Sequence, residues 1–316
     1  MRQRVRRGGL ASLGVVALLV ALTAEASAES CKDDAPFDEA TFKARVERLA
    51  GKELDGRAPG TAGDAAAREA IVDRFTCLGL SPAFGSSYEQ AFTADNKTTA
   101  NVVGSIQGET DDIILVSAHH DHLGGGHLGA NDNASGIVAL LAVAQSIVQS
   151  EDTPKRTIVF AAFGAEETGM HGSYFYEAHA PEHLPSDRIV QVVNLDMVGS
   201  HASRGYVAAM GTFKGLASTP ILKKLLPRYP KLSVPMGGKA RGSDFEPFCK
   251  KGTPYVFFWT PDKRCYHATC DTPDRVDYKR MVDIAKLATD LVTAMAQTEV
   301  DLADAKQRLG CFGKRR

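Results

Sequence analysis

The sequence lacks an excess of charge of either sign, an internal repeat and a linker that would divide it. Its 316 residues carry 37 lysines and arginines against 38 aspartates and glutamates, a formal charge of −1. This balance disfavours nucleic acid as a partner, because nucleic-acid binding depends on clustered positive charge. The composition is that of a folded globular protein, and the absence of a linker favours a single domain.

An apolar segment at the N-terminus is too short for a membrane span. Residues 1–28 combine four arginines, the run LASLGVVALLVALTA and the small residues Ala26-Ser27-Ala28, a pattern typical of a secretory signal peptide. Its removal would leave 33 basic and 37 acidic residues, a formal charge near −4. We therefore expect residues 29–316 to be secreted or periplasmic, with no membrane anchor after processing.

All six cysteines lie in the part expected to be exported, where disulfides form and persist. They are Cys31, Cys77, Cys249, Cys265, Cys270 and Cys311. The sequence alone selects none of the fifteen full pairings that six cysteines allow. Cys265 and Cys270 are only five positions apart, and a disulfide between them is favoured because zinc-binding thiolates usually occur as closely spaced pairs in reducing compartments.

Five short apolar runs alternate with helical patterns along the chain. The runs are NVVGSI, DIILVSA, RTIVFAAF, RIVQVVNL and PYVFFW, nearly unbroken as in strands covered on both faces. Helices are predicted over 37–50 and 64–78, followed by Gly51 and Gly79 as left-handed caps, and over 277–298. The pattern predicts an α/β fold with a mixed, mostly parallel central sheet and helices on both faces.

Ligand-type side chains follow four of these runs, where functional groups collect in sheets of this kind. His119 and Asp121 follow the second run, Glu166 and Glu167 the third, Asp196 the fourth and His267 the fifth, with Asp132 on a glycine-rich stretch. Each has an ordinary alternative, such as a helix cap or a loop histidine. Their joint placement favours two zinc sites that share one carboxylate, with a further carboxylate left as general base.

Six motifs occur in an order that resembles the co-catalytic double-zinc aminopeptidases. They are AHHDH, GANDNASG, FGAEETGMHGS, NLDMVG, GSDFEPF and YHATCDTPD. The resemblance covers nearly the whole chain after the leader, and includes the N-terminal GRAPGTAG and YEQAF. It implies the zinc-exopeptidase fold, two zinc ions per chain, and hydrolysis of the N-terminal peptide bond of peptides or proteins.

The resemblance also implies a role for each residue of the site. One zinc ion would be held by His119 and Asp196, the other by Glu167 and His267, and both by Asp132 as a bridge. Glu166 matches the general base, Asp121 matches the carboxylate that orients His119, and Tyr266 matches a hydroxyl that donates to the oxyanion. His120, His122 and His127 match no ligand position and are expected to be polar loop residues.

The substrate pocket is less well defined by the sequence. In GSDFEPF the family more often has histidine where Phe245 stands, which puts the side-chain preference in doubt but not the catalysis. Arg241, Asp244 and Phe245 are candidate substrate contacts. Phe245, Phe257 and Phe258 either line an apolar pocket or belong to the core.

Two other activities remain open at this stage. Glutaminyl cyclases are similar in fold and motif but retain one zinc ion and close a ring from an N-terminal glutamine. Carboxypeptidases and dipeptidases of related fold act on other peptide ends. We expect a monomer.

Overall fold

The computed structural model describes residues 35–304, so the predicted signal peptide 1–28, Cys31 and Cys311 lie outside the described residues. The strands are β1 Ser81–Pro82, β2 Glu89–Ala94, β3 Lys97–Ile106, β4 Thr110–His119, β5 Arg156–Phe163, β6 Ile189–Leu195, β7 Ala208–Met210 and β8 Tyr255–Trp259. The α-helices are α1 Glu39–Leu49, α2 Ala62–Leu78, α3 Ser135–Gln149, α4 His171–His179, α5 Ser218–Leu225, α6 Glu246–Lys250 and α7 Tyr278–Gln297.

The strands form one mixed sheet in the order β1-β3-β5-β4-β6-β8-β7, with β2 paired to β3. The four central strands, β5, β4, β6 and β8, are parallel. Antiparallel strands flank them, because β3 runs opposite to β5 and β7 runs opposite to β8. The predicted α/β fold with a mixed sheet is confirmed, and its parallel part is the centre.

Helices cover both faces of the sheet and create two apolar cores. Along β4, Ile114 and Val116 point into the core that contains α1, α2, α3 and α7. Ile113 and Leu115 alternate with them and pack on the opposite face, in the core that contains residues of α4 and α6. Burial on both faces explains why the central strands are apolar without alternation. Among residues 35–304, no helix has the length and apolar character that a membrane span needs.

Of the two predicted glycine caps, one is confirmed and one is wrong. At the end of α2, Gly79 has φ 72° and caps the helix in the left-handed conformation, as predicted. The prediction for Gly51 is wrong, because α1 is followed by Ala50 at φ −96° and Gly51 has φ −67°. Gly51 instead precedes a 3-10 segment, Lys52–Arg57, into which the chain turns directly.

Candidate metal centre

Loops at the C-terminal edge of the parallel strands bring the five predicted ligands to one cavity. His119 ends β4, Glu167 follows β5, Asp196 follows β6, His267 lies in the loop after β8, and Asp132 lies in an irregular segment before α3. The cavity has a volume of about 390 Å³, and Glu166 and Tyr266 also line it. The structure therefore brings together the seven residues that the sequence assigns to ligation, base and oxyanion donor.

The carboxylate of Asp132 lies between two pairs of donors. Its Oδ1 is 3.4 Å from His119 Nε2, and the same nitrogen is 3.4 Å from Asp196 Oδ1. Its Oδ2 is 3.3 Å from His267 Nε2, which is 2.8 Å from Glu167 Oε2. Each oxygen of Asp132 thus belongs to a different donor set, which is the arrangement that a bridging ligand needs.

The donor atoms of both sets fit zinc in kind, and those around His119 also fit it in spacing. Two ligand atoms that each lie about 2.0–2.1 Å from a tetrahedral ion are about 3.3–3.4 Å from one another. His119 Nε2 has this separation from oxygens of both Asp132 and Asp196. Asp132 Oδ2 is buried without a hydrogen-bond partner in the described part of the chain, and buried polar atoms normally have one. Imidazole and carboxylate donors suit zinc.

The charges of the centre favour cations. Burial raises the pKa of the Asp132 carboxyl, but the neighbouring imidazoles of His119 and His267 outweigh this effect and hold that pKa well below its usual range. The adjacent carboxylates of Asp132 and Glu167 raise the pKa of His267 to about 10. The carboxylates therefore stabilise positive charge at the imidazoles, and a metal ion competes with protons for the same position.

The carboxylate of Asp121 holds the backbone of the glutamate pair. Its two oxygens accept hydrogen bonds from the N–H groups of Glu166 at 3.0 Å and Glu167 at 3.3 Å. The sequence assigned this carboxylate to orienting His119, but Oδ1 is 3.8 Å from His119 Nδ1, beyond hydrogen-bond distance. The backbone carbonyl of Asp121 is closer, at 3.1 Å, and it is this group that orients the imidazole.

Asp271, which no sequence motif singled out as functional, plays a similar part for Asp132, the proposed bridging ligand. Its carboxylate accepts hydrogen bonds from the N–H groups of Asn131 at 2.8 Å and Asp132 at 2.9 Å. Asp271 directly follows Cys270, so the segment that carries His267 also fixes the backbone of Asp132. The available signal was an acidic residue inside the motif YHATCDTPD.

The three remaining histidines of the loop after β4 are not alike. His120 is fully buried, and its Nε2 lies 3.0 Å from a carboxylate oxygen of Asp64. His122 is fully buried, and its Nδ1 bonds the carboxylate of Glu167, a proposed ligand. His127 is half-buried, and its Nδ1 lies 3.0 Å from the backbone carbonyl of Gly124 in its own loop. All three lie in the loop as predicted, but the first two belong to buried networks.

Residues 101–292 match the family profile described as Peptidase family M28. The chain belongs to this family. The matched range begins within β3 and ends within α7, so it includes all five predicted ligands.

Similar proteins and structures are consistent with the family. Aminopeptidase YwaD of Bacillus subtilis (strain 168) is 32% identical over 220 residues, covering 65% of this chain and 45% of that protein. BSAP, a zinc aminopeptidase from Bacillus subtilis, has a TM-score of 0.70 at 18% identity, covering 86% of this chain and 98% of that chain. Porphyromonas gingivalis glutaminyl cyclase has the same TM-score and identity, with 83% and 100% covered. These two structural likenesses show a shared fold.

The curated relatives are longer than the region they share with this chain. The chain spans 63% of the length of Leupeptin-inactivating enzyme 1 of Streptomyces exfoliatus and 45% of the length of Aminopeptidase YwaD.

The two adjacent glutamates of this member of family M28 have different surroundings. The Glu167 carboxylate is bound by His122 and His267. The Glu166 carboxylate lines the cavity and makes no ion pair or hydrogen bond with another side chain within residues 35–304. Burial, reinforced by the carboxylate of Asp244, raises the pKa of Glu166 well above its usual range. Glu166 is thus the carboxylate that remains available to a water molecule in the cavity.

Of the three predicted substrate contacts in the M28 fold, Arg241 lines the cavity, but Asp244 and Phe245 do not. Both are fully buried where the chain turns into α6. The ring of Phe245 stacks on Tyr255, with centroids 4.0 Å apart, and belongs to the core. The structure thus places these two side chains behind the cavity wall and not on it. Phe257 does line the cavity, whereas Phe258 is core.

A disulfide joins Cys265 and Cys270, the pair that the sequence favours. Between them, the ring of Tyr266 stacks on His267 with centroids 3.8 Å apart, and 54% of Tyr266 is exposed at the cavity mouth. Partial burial and the nearby carboxylates raise the pKa of Tyr266 to about 12. The hydroxyl therefore keeps its proton at neutral pH and is able to donate a hydrogen bond.

Proposed function

We propose that the chain is an exported zinc-dependent aminopeptidase that hydrolyses the N-terminal peptide bond of peptides or proteins. The observation that carries this proposal is the placement of Asp132 between two donor sets, with the unpaired Glu166 carboxylate in the same cavity. Membership of peptidase family M28 and the likeness to an aminopeptidase support it. The disulfide between Cys265 and Cys270 supports export, because disulfides persist in oxidising compartments.

Two zinc ions per chain are part of the proposal. His119, Asp196 and Asp132 Oδ1 would hold one, and Glu167, His267 and Asp132 Oδ2 the other. When bound there, zinc supplies Lewis acidity, which lowers the pKa of water and polarises a carbonyl group.

The side chains of the protein supply the proton transfers and the orientation. The Glu166 carboxylate accepts the proton of the attacking water and later delivers it to the leaving amine. The Tyr266 hydroxyl donates a hydrogen bond to the oxygen that gains negative charge as the carbonyl is attacked. The carboxylates of the cavity offer hydrogen-bond acceptors to the free α-amine of a peptide, which places its first peptide bond beside Glu166.

The wall of the cavity supports a preference for an apolar first residue. Met210, Phe257 and Trp259 form an apolar part of this wall. An apolar N-terminal side chain would be removed from water against them, which favours binding by roughly 25 cal/mol per Å² of buried apolar area.

We expect the protein to cleave leucyl-nitroanilide and similar aminoacyl substrates but not their N-acetylated equivalents. Acetylation removes the free α-amine that would donate hydrogen bonds to the carboxylates of the cavity. The measurement is release of nitroaniline, with peptides amidated at the C-terminus as a control that leaves the amine intact. Cleavage of acetylated substrates, or loss of activity on amidated peptides alone, would contradict the aminopeptidase assignment and favour a carboxypeptidase.

We expect two zinc ions per chain by elemental analysis, and loss of hydrolysis after chelation with recovery when zinc is restored. Because the ions bind the folded chain, stripping them should also lower the melting temperature. Saturating a site at 100 times its Kd contributes about 2.7 kcal/mol to stability. One metal per chain, together with ring closure of N-terminal glutamine, would instead assign the protein to the glutaminyl cyclases.

A further inference from the structure

A three-residue segment that precedes α2 packs against the loop that carries two proposed ligands. The segment is Asp55-Gly56-Arg57, and the loop, called the ligand loop below, runs from His119 to Asp132. All three residues of the segment have left-handed backbone, with φ of 41°, 70° and 59°. This conformation is unfavourable for the two that are not glycine, so it persists only where surrounding contacts hold it.

The guanidinium of Arg57 supplies the main contacts. Arg57 is 1% exposed, and four backbone carbonyl groups accept its hydrogen bonds. The acceptors are His120 O at 2.6 Å, Leu49 O at 2.6 Å, Leu128 O at 2.9 Å and Gly129 O at 3.0 Å. Three of these carbonyls belong to the ligand loop and lie near both of its ends, so one side chain fixes the distance between them.

The positive charge of Arg57 is buried without a directly paired carboxylate in the described part of the chain. A buried arginine is normally paired with a carboxylate, but Arg57 has no ion pair with any residue of the described part of the chain. Burial lowers its pKa to about 10, and nearby carboxylates, chiefly Asp121, Asp271 and Asp132, act in the opposite direction. The cation thus compensates the negative charge of the centre while the ligand oxygens remain free.

The other two residues of the segment hold the glycine-rich middle of the ligand loop. The Asp55 carboxylate accepts hydrogen bonds from Gly125 N at 3.2 Å and Gly126 N at 2.7 Å. At Gly56, a β-carbon would lie 2.2 Å from His127 O, so only glycine allows the two backbones to approach this closely. The segment therefore contacts the ligand loop along most of its length.

We propose that Asp55-Gly56-Arg57 is a clamp, with Arg57 as its principal positioning residue, which holds the ligand loop in its metal-binding shape before metal binds. The proposal rests on the proposed function, because it takes His119 and Asp132 as zinc ligands. A loop with three consecutive glycines loses much conformational entropy when it is ordered. Because the clamp orders the loop in advance, the entropy cost of ordering is not subtracted from the free energy of metal binding. Zinc affinity is therefore higher than it would be for an unclamped loop.

The test compares zinc affinity in Arg57→Met and Arg57→Lys. Methionine removes the charge and all the donors, whereas lysine keeps the charge but its single ammonium group cannot reach four separated carbonyls. We expect both variants to bind zinc about 10–100-fold more weakly, as for other groups that orient ligands. Affinity is measured on metal-stripped protein against a chelating indicator, at a temperature where circular dichroism is unchanged. Backbone amides of residues 120–129 should also exchange faster without metal.

Arg156 provides a matched control for a purely structural role. It too is a buried arginine that donates to backbone carbonyls, those of Met295, Thr298 and Val300. It lies at the start of β5, an eight-residue strand whose other end faces the centre, about 25 Å away. Arg156→Met should lower the melting temperature but leave zinc affinity within about twofold of the wild type, a difference of less than 0.5 kcal/mol.

The outcomes separate the clamp from the proposed function. Wild-type protein that binds no zinc would overturn both. The clamp alone would be overturned if the wild-type protein binds two ions and Arg57→Met binds zinc as tightly as the wild type. The same holds if Arg57→Met and Arg156→Met have equal zinc affinities. If neither Arg57 variant folds, Asp55→Gly decides, because Asp55 is exposed and glycine keeps its left-handed backbone. Asp55→Gly should bind zinc more weakly with faster exchange at Gly125 and Gly126, and unchanged affinity would contradict the clamp.

Discussion

Replacing Glu166 with glutamine is expected to lower turnover by about 10²–10⁴-fold while the metal content stays the same. Glutamine has the size of glutamate but cannot accept a proton from water. The Glu166 carboxylate bonds no other side chain among the described residues, and its backbone N–H, which Asp121 binds, is unaffected by the change. The measurements are kcat on an aminoacyl-nitroanilide and zinc per chain on the same preparation.

Glu167→Gln is the matched control for this prediction. The two glutamates are adjacent, but the Glu167 carboxylate bonds His122 and lies 2.8 Å from His267 within the second donor set. Its replacement should therefore reduce zinc binding, and activity should recover in part when zinc is added in excess. If both variants lost metal equally, the assignment of base and ligand to these two positions would be wrong.

Tyr266→Phe is expected to lower turnover by about 10²–10³-fold, the usual effect of removing one oxyanion donor. The Michaelis constant should change little, because the hydrogen bond strengthens only as charge develops in the transition state. Phenylalanine keeps the ring that stacks on His267, so zinc content and melting temperature should match the wild type. Steady-state kinetics at saturating zinc provide the measurement.

Tyr206→Phe is the control for loss of a tyrosine hydroxyl. Tyr206 is 39% exposed and is not among the residues that line the cavity. It should keep wild-type kinetics. A Tyr266→Phe enzyme with the same turnover as Tyr206→Phe would remove Tyr266 from the mechanism.

The long strands were predictable because their physical signal is strong. Each of the five apolar runs became a strand covered by helices on both faces, and such strands need apolar residues at every position. β2 was not predicted, because its burial alternates but its residue types do not: the polar Gln90 is buried and the apolar Ala91 is exposed. β1 and β7, with two and three residues, are too short to leave a pattern.

The positions of the ligands were predictable because the order of the strands in the sheet determines them. Parallel strands end at one edge, so ligand-type residues after consecutive strands are brought together. The groups that hold the loops were not predictable in this way. Asp271 binds the N–H of Asp132 and Arg57 binds the carbonyl of Gly129, and each pair is far apart in the sequence. Spacing along one chain carries no information about which distant groups will meet.

The donors are spread along the chain, so the proposed centre depends on a segment that lies beyond the last strand. The first donor set contains no ligand beyond Asp196, whereas the second also needs His267, beyond β8. The same segment supplies Asp271, which fixes the backbone of Asp132, so the shape of both donor sets depends on it. We therefore expect products truncated before residue 267 to lose both metal positions, although all eight strands precede that residue.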